Sequence, residues 1–283
     1  MSETATQGRS LGKSVAVGLA LAAVFLTSIL IVKELFIVLV TTVAAIGVWE
    51  LSTALRTKGW YVPRVPAVVG SILIMPAAYL GGAVWQWLVS LGIVAALILW
   101  RTIHLLWERR KANFQTLQRT IRDWAASAFL VIYIPLSLSF TMLMLRREED
   151  GQWWVLTFVT TVALIDSAGY LFGRVFGKTK LAPGVSPKKT WEGLAASIAF
   201  GATSAILFTV LLLGGQWWMG LIMAAVLILA AVFGDLAESL IKRDLGMKDM
   251  SKLLPGHGGM MDRLDSMLPA ALMAYLVMEV FFV

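Results

Sequence analysis

The chain has 283 residues, of which 59% are hydrophobic and 14% charged, with a formal net charge of +7. A soluble domain carries roughly 25% charged residues, so lipid is the expected solvent for most of this sequence. There are no cysteines, which excludes disulfides and thiolate metal sites, and the positive charge is assigned to cytoplasmic loops and lipid headgroups, not to nucleic acid.

The polar start "MSETATQGRSLGKS" leads into the apolar run Ser14–Val32, too long for a signal-peptide core and therefore expected as a retained span. Eight more runs follow: Leu35–Leu55, Val65–Gly81, Val84–Trp100, Asp123–Leu145, Gln152–Phe176, Thr190–Leu213, Gln216–Leu240 and Leu264–Val283. Each must be a helix, because lipid offers backbone groups no outside partner. The expectation is an all-α, polytopic membrane bundle of about nine spans. Ten of the twelve tryptophans fall near span ends, as an interfacial belt requires. With nine spans, 21 lysines and arginines fall on the N-terminal side and only Lys33, Arg146 and Arg147 on the other. The positive-inside rule then places the N-terminus in the cytoplasm.

Residues 1–145 read as an N-terminal set of spans that is poor in chemistry, and residues 146–283 as the catalytic region. In the first part, Glu50 is expected to be a structural hydrogen-bonding group near a span end, and His104 an ordinary loop residue. Between residues 101 and 122, Phe114, Leu117 and Ile121 recur at helical spacing among arginines, which predicts a basic amphipathic connector on the cytoplasmic leaflet.

The second part gathers its polar residues at one side of the membrane. Asp166 interrupts an apolar helix, where a carboxylate costs at least about 2.5 kcal/mol unless it faces protein, water or a cation. Asp235, Glu238, Ser239 and Lys242 share one helix face by their i, i+3, i+4, i+7 spacing. Asp262 and Asp265 share another at the start of the last helix. Acids so close repel unless a cation lies between them, and an all-oxygen donor set favours magnesium over zinc. The competing reading is that these acids pair with Lys242, Arg243 and Arg263, or cap the helix start. Lys178, Lys180, Lys188 and Lys189, with the glycines of "PGHGG", suit a phosphate-bearing ligand.

The stretch Ser239–Asp265, "SLIKRDLGMKDMSKLLPGHGGMMDRLD", resembles the signature of phosphatidate cytidylyltransferases, also called CDP-diacylglycerol synthases. Ser239, Lys242-Arg243, Lys248-Asp249, His257-Gly258-Gly259 and Asp262-Arg263-x-Asp265 fill its fixed positions. Further elements match at Asp166-Ser167 with Tyr170, Phe176-Gly177-Lys178, Ser186-Pro187-Lys188-Lys189-Thr190 and Gly234-Asp235; Gly169 stands where the family often has alanine. The resemblance covers roughly residues 160 to 266. It implies transfer of CMP from CTP to phosphatidic acid at the cytoplasmic face of a bacterial inner membrane. It implies magnesium, with room for a second cation, held by Asp235, Asp262, Asp265 and Asp166. Lys242, Arg243, Lys248, Asp249 and His257 are the expected catalytic residues. Ser186, Lys189, Thr190, Ser239, Gly258, Gly259 and Arg263 are the expected substrate-binding ones. The expected partners are CTP, phosphatidic acid, membrane lipids and a second copy in a homodimer. The alternatives are another CTP-dependent lipid kinase or nucleotidyltransferase and, behind it, an ion-coupled transporter.

Overall fold

A computed structural model describes residues 23–107, 113–182, 184, 186–251 and 259–282. Residues 23–30 are helical. In chain order there follow α1 (Lys33–Thr57), α2 (Arg64–Trp107), α3 (Phe114–Val131), a π-helical turn (Ile132–Leu136), α4 (Ser137–Leu145) and α5 (Gly151–Phe176). After α5 come strands β1 (Lys180–Ala182) and β2 (Ser186–Thr190), then α6 (Trp191–Leu211), α7 (Trp217–Asp244), α8 (Met261–Leu264) and α9 (Met267–Phe282). Among the described residues, seven helical segments are long and apolar enough to cross a membrane. The chain is an all-α, polytopic membrane protein. Large apolar side chains such as Leu80, Val175, Leu229 and Val280 remain exposed around the bundle, as a lipid-facing surface requires.

The longest segment, α2, is a hairpin and not one rod. Gly82 adopts φ 72°, a conformation that L side chains rarely enter. A Cβ on Gly70 would lie 2.6 Å from Ile93 Cγ2, whereas on a straight helix the two residues would be roughly 35 Å apart. The two arms therefore fold back at Gly82, where the sequence divides into Val65–Gly81 and Val84–Trp100. The second arm runs on to Trp107, and Asn113 caps α3 by accepting the Thr116 N–H at 2.8 Å. From Phe114 the helix continues unbroken to Val131, so the amphipathic stretch is continuous with the apolar helix that follows it. The reason is local: Asp123 is buried against Arg101 and so does not end the helix.

The loops sort into two groups. At one end, Tyr61 N–H donates to Asp123, Arg122 donates to the Gly59 carbonyl, Arg243 donates to the Gly184 carbonyl, and Glu50 meets Met260. At the other, Lys33 reaches the Glu148 carbonyl, Gly82 abuts the Arg146 guanidinium, and Gly215 abuts the Phe282 ring. The described loops rich in basic residues thus all lie at the first end. A two-stranded antiparallel hairpin, β1–β2, pairs Lys180 with Thr190 and Ala182 with Ser186 at that end. Apolar periodicity gives no sign of it, because it lies between spans, where the membrane does not dictate helix. One continuous core takes residues from both halves of the chain, including Leu51, Ile74, Met144, Phe158, Leu227 and Ala271.

Candidate active site

Three helices deliver carboxylates to the first end of the bundle: α5 with Asp166, α7 with Asp235 and Glu238, and the α8–α9 junction with Asp265. Close approach of α7 to that junction depends on Gly234. A Cβ there would overlap the Asp265 carbonyl oxygen and lie 2.7 Å from Pro269 Cγ. Asp265 is consequently in side-chain contact with both Asp235 and Glu238. Asp166 completes the group: its Oδ1 accepts the Ser266 hydroxyl at 3.1 Å. Gly234→Ala is expected to push α7 away and cost about 1–3 kcal/mol of stability, with activity lost in parallel. Thermal unfolding of the purified variant in detergent measures it.

Two ammonium groups balance these acids. Lys189, from β2, forms an ion pair with Asp235. Lys242 Nζ lies 3.2 Å from Glu238 Oε2 and 2.8 Å from Asp262 Oδ1. Glu238 is fully buried, and its Oε1 has no hydrogen-bond partner among the described residues. The sequence places Glu238 on the acidic helix face but not among the expected ligands; the structure sets it against Asp265 and Lys242. Among the described residues no three carboxylates already stand in metal-holding geometry. The donor set is nonetheless all oxygen, and the orphaned Glu238 oxygen asks for a positive partner, so the residues present fit a hard divalent cation.

Asp262 faces a different way. Its Oδ2 accepts the N–H groups of Met250 at 3.0 Å and Gly259 at 2.8 Å, the two ends of the segment that carries His257. With Lys242 on Oδ1, three of roughly four acceptor directions are taken. Asp262 thus ties Met250, Gly259 and Lys242 together.

Glu50, from α1, is the structural hydrogen-bonding group expected near a span end, and its partners lie in the second half of the chain. Only 4% exposed, it accepts the N–H groups of Met260 at 3.0 Å and Met261 at 2.8 Å, and the Ser251 hydroxyl at 2.5 Å. A carboxylate from the first half of the chain thus caps the helix start that carries Asp262. Tyr133, in the π-helical turn, is a residue that no sequence pattern singles out. Its buried hydroxyl has no partner among the described residues and lies near enough to Glu238, Asp265 and Asp235 to feel their charge. π-helical turns often mark functional positions, which is the one sequence-independent signal it carries.

The remaining predicted residues are placed as follows. Thr190 is buried and caps α6, its Oγ1 accepting the Gly193 N–H at 3.1 Å. Ser186 sits on β2 opposite Ala182, and Ser239 is half-buried on α7. Arg243 is tied to the Gly184 carbonyl, while Lys248, Asp249 and Arg263 are exposed. Gly259 is buried where a Cβ would lie 2.8 Å from Glu50 Oε2. His257 and Gly258 lie outside the described residues.

Residues 13–281 match the model of the Cytidylyltransferase family. The chain belongs to this family. It is 34% identical over 278 residues to the phosphatidate cytidylyltransferase of Mycobacterium bovis, covering 98% of this chain and 90% of the relative. It is 35% identical over 282 residues to the phosphatidate cytidylyltransferase of Mycobacterium leprae, covering 96% and 88%. The relative in Brucella melitensis, which carries the same name, is 37% identical over 203 residues, 70% of this chain and 73% of its own length. Similarity to these cytidylyltransferases therefore extends well beyond the signature, through the N-terminal helices that supply Glu50.

Proposed function

We infer that the chain is a phosphatidate cytidylyltransferase, transferring CMP from CTP to phosphatidic acid and releasing pyrophosphate. The observation that carries this is family membership over nearly the whole chain, with relatives of that name matched almost end to end. A lipid phosphate oxygen attacks the α-phosphorus of CTP, a new P–O bond forms, and the α–β phosphoanhydride bond breaks as pyrophosphate leaves. The attacking phosphate is already ionised, so no strong base is needed. The barrier is the meeting of two polyanions, which positioned cations lower.

In this proposal Lys189, Lys242, Arg243 and Lys248 hold phosphates, with Ser186, Thr190, Ser239 and Arg263 lining the approach. Asp249 and His257 shape the loop whose ends Asp262 fixes. Magnesium would be held by Asp235 and Asp265 with Asp166, and Glu238 beside them; Asp262 has one acceptor direction left for it. When bound, the ion neutralises phosphate charge and stabilises the leaving pyrophosphate. Lys189 and Lys242 are paired with acids in the free chain, and in this proposal their ammonium groups shift toward phosphate as substrate enters. The proposal includes nine spans with a cytoplasmic N-terminus in a bacterial inner membrane, and the site facing the cytoplasm. The basic loops gathered at the site end support that side. It also includes a homodimer, which the mass of the detergent-free particle tests.

One experiment tests activity and sidedness together. CTP does not cross membranes, so α-labelled CTP is offered to sealed inside-out and right-side-out vesicles containing the protein and phosphatidic acid. Lipid-bound label is expected only in inside-out vesicles. Transfer of γ-label in place of α-label would identify a lipid kinase, and ion flux without CTP turnover a transporter.

A further inference from the structure

At the same end of the bundle, but built by other elements than the acid cluster, lies a cavity of about 430 Å³, between the α1–α2 loop, the end of α2 and the first half of α3. Lys58, Arg101, Arg119 and Arg122 line it, against one acid, Asp123. That acid is already engaged. Its Oδ2 takes Arg101 Nε at 2.9 Å and Nη2 at 2.8 Å, and its Oδ1 accepts the Tyr61 N–H at 3.0 Å. Arg101 is further held over the Tyr61 ring, 4.5 Å from its centroid. Three positive charges are left over. Lys58 and Arg119 have no carboxylate within ion-pair distance among the described residues. Arg122 lies 3.8 Å from Asp123 Oδ1, an acid shared with Arg101, and donates to the Gly59 carbonyl at 3.0 Å, yet its buried Nε meets no acceptor among the described residues. Cations crowded this closely repel, and an anion bearing several acceptor oxygens relieves both the repulsion and the orphaned donor.

The depth of the cavity narrows the choice of anion. Arg122 lies over the Trp60 ring, 5.5 Å from its centroid, and Trp100 is exposed one residue before Arg101. Tryptophans at this level mark the headgroup region. The first turns of α3 expose Phe114 (72%), Leu117 (54%) and Ile121 (52%), an apolar strip suited to acyl chains, next to the arginines. Basic pockets between membrane helices at headgroup depth suit acidic lipid headgroups.

We propose that this cavity binds the phosphate of an anionic phospholipid, whose acyl chains lie along the exposed face of α3. The lipid sits beside the reaction site, not in it. Lys58 Nζ lies 3.7 Å from where a Cβ of Gly246 would stand, and Gly246 opens the loop bearing Lys248 and Asp249. Membrane charge is thereby sensed next to that loop.

The test uses the full chain in phosphatidylcholine nanodiscs, with phosphatidylglycerol as the probe, counted as bound lipid by native mass spectrometry. Lys58 and Arg119 are exposed, so the double variant Lys58→Ala/Arg119→Ala is not expected to disturb folding. Each basic residue near a membrane surface contributes about fivefold to anionic-lipid affinity, so the double variant should bind phosphatidylglycerol at least roughly tenfold more weakly. Its turnover of CTP in pure phosphatidylcholine with phosphatidic acid should match the parent. Equal retention of phosphatidylglycerol by the two proteins would overturn the proposal. Displacement of the lipid by millimolar inorganic phosphate would assign the cavity to free phosphate and overturn the lipid assignment. Loss of turnover in the double variant would place these residues in the reaction and overturn a separate site.

Discussion

Asp265→Asn is expected to lose CMP transfer by roughly 100- to 1,000-fold while the folded chain becomes no less stable. The two effects separate because Asp265 stands in contact with Asp235 and Glu238. Three carboxylates at contact distance repel one another, and neutralising one removes part of that repulsion. Asparagine keeps the Oδ1 that accepts the Ser266 N–H at 2.8 Å, so the turn between α8 and α9 is preserved. The repulsion within such a cluster of close carboxylates is offset when a cation binds among them. Asp235→Asn is expected to behave alike in activity but not in stability, since it also gives up the ion pair with Lys189. The measurement is CTP-dependent lipid product formation beside the thermal midpoint in detergent. Full activity in Asp265→Asn at an unchanged midpoint would sink the cation-binding role.

Glu50→Ala is expected to be the most damaging change outside the signature. It strips two backbone N–H groups and one hydroxyl of their acceptor at a largely buried site. Each unsatisfied buried group costs about 1–3 kcal/mol, so the loop and helix start will rearrange before they bear the full sum. The consequence passes to Asp262, one residue beyond Met261, and through it to Lys242. Residues that orient a binding group from behind commonly change activity by about 10–100-fold, and that is the loss expected here. Glu50→Gln keeps one acceptor oxygen and should recover part of it. A role confined to stability predicts that low temperature or excess lipid restores turnover in Glu50→Ala. A positioning role predicts a turnover deficit that persists when the protein is fully folded, together with faster proteolysis between residues 251 and 259.

Much of the site was legible in the sequence because a helix converts spacing into direction. Glu238 and Lys242, four residues apart, do meet. The run of apolar segments specified a bundle, and the break before Val84 foretold the hairpin that Gly82 turns. Charge counting by alternate loops anticipated which loops gather together. The β1–β2 hairpin escaped because its strands are too short for a two-residue period to stand out, and basic residues fill them.

What the sequence determined alone is the solvent, the helical class, the family signature and the polar face of each helix. These follow from composition and from a fixed rise and turn per residue. What tertiary structure decided is which faces meet. Asp262 and Asp265 look equivalent by spacing, yet one closes a loop and the other joins the acids of α7, because α7 packs tightly at Gly234. Glu50 lies some two hundred residues from the amides it holds. No periodicity reports such a partner: local repeats encode orientation about one axis, and contacts between axes exist only once the helices have packed.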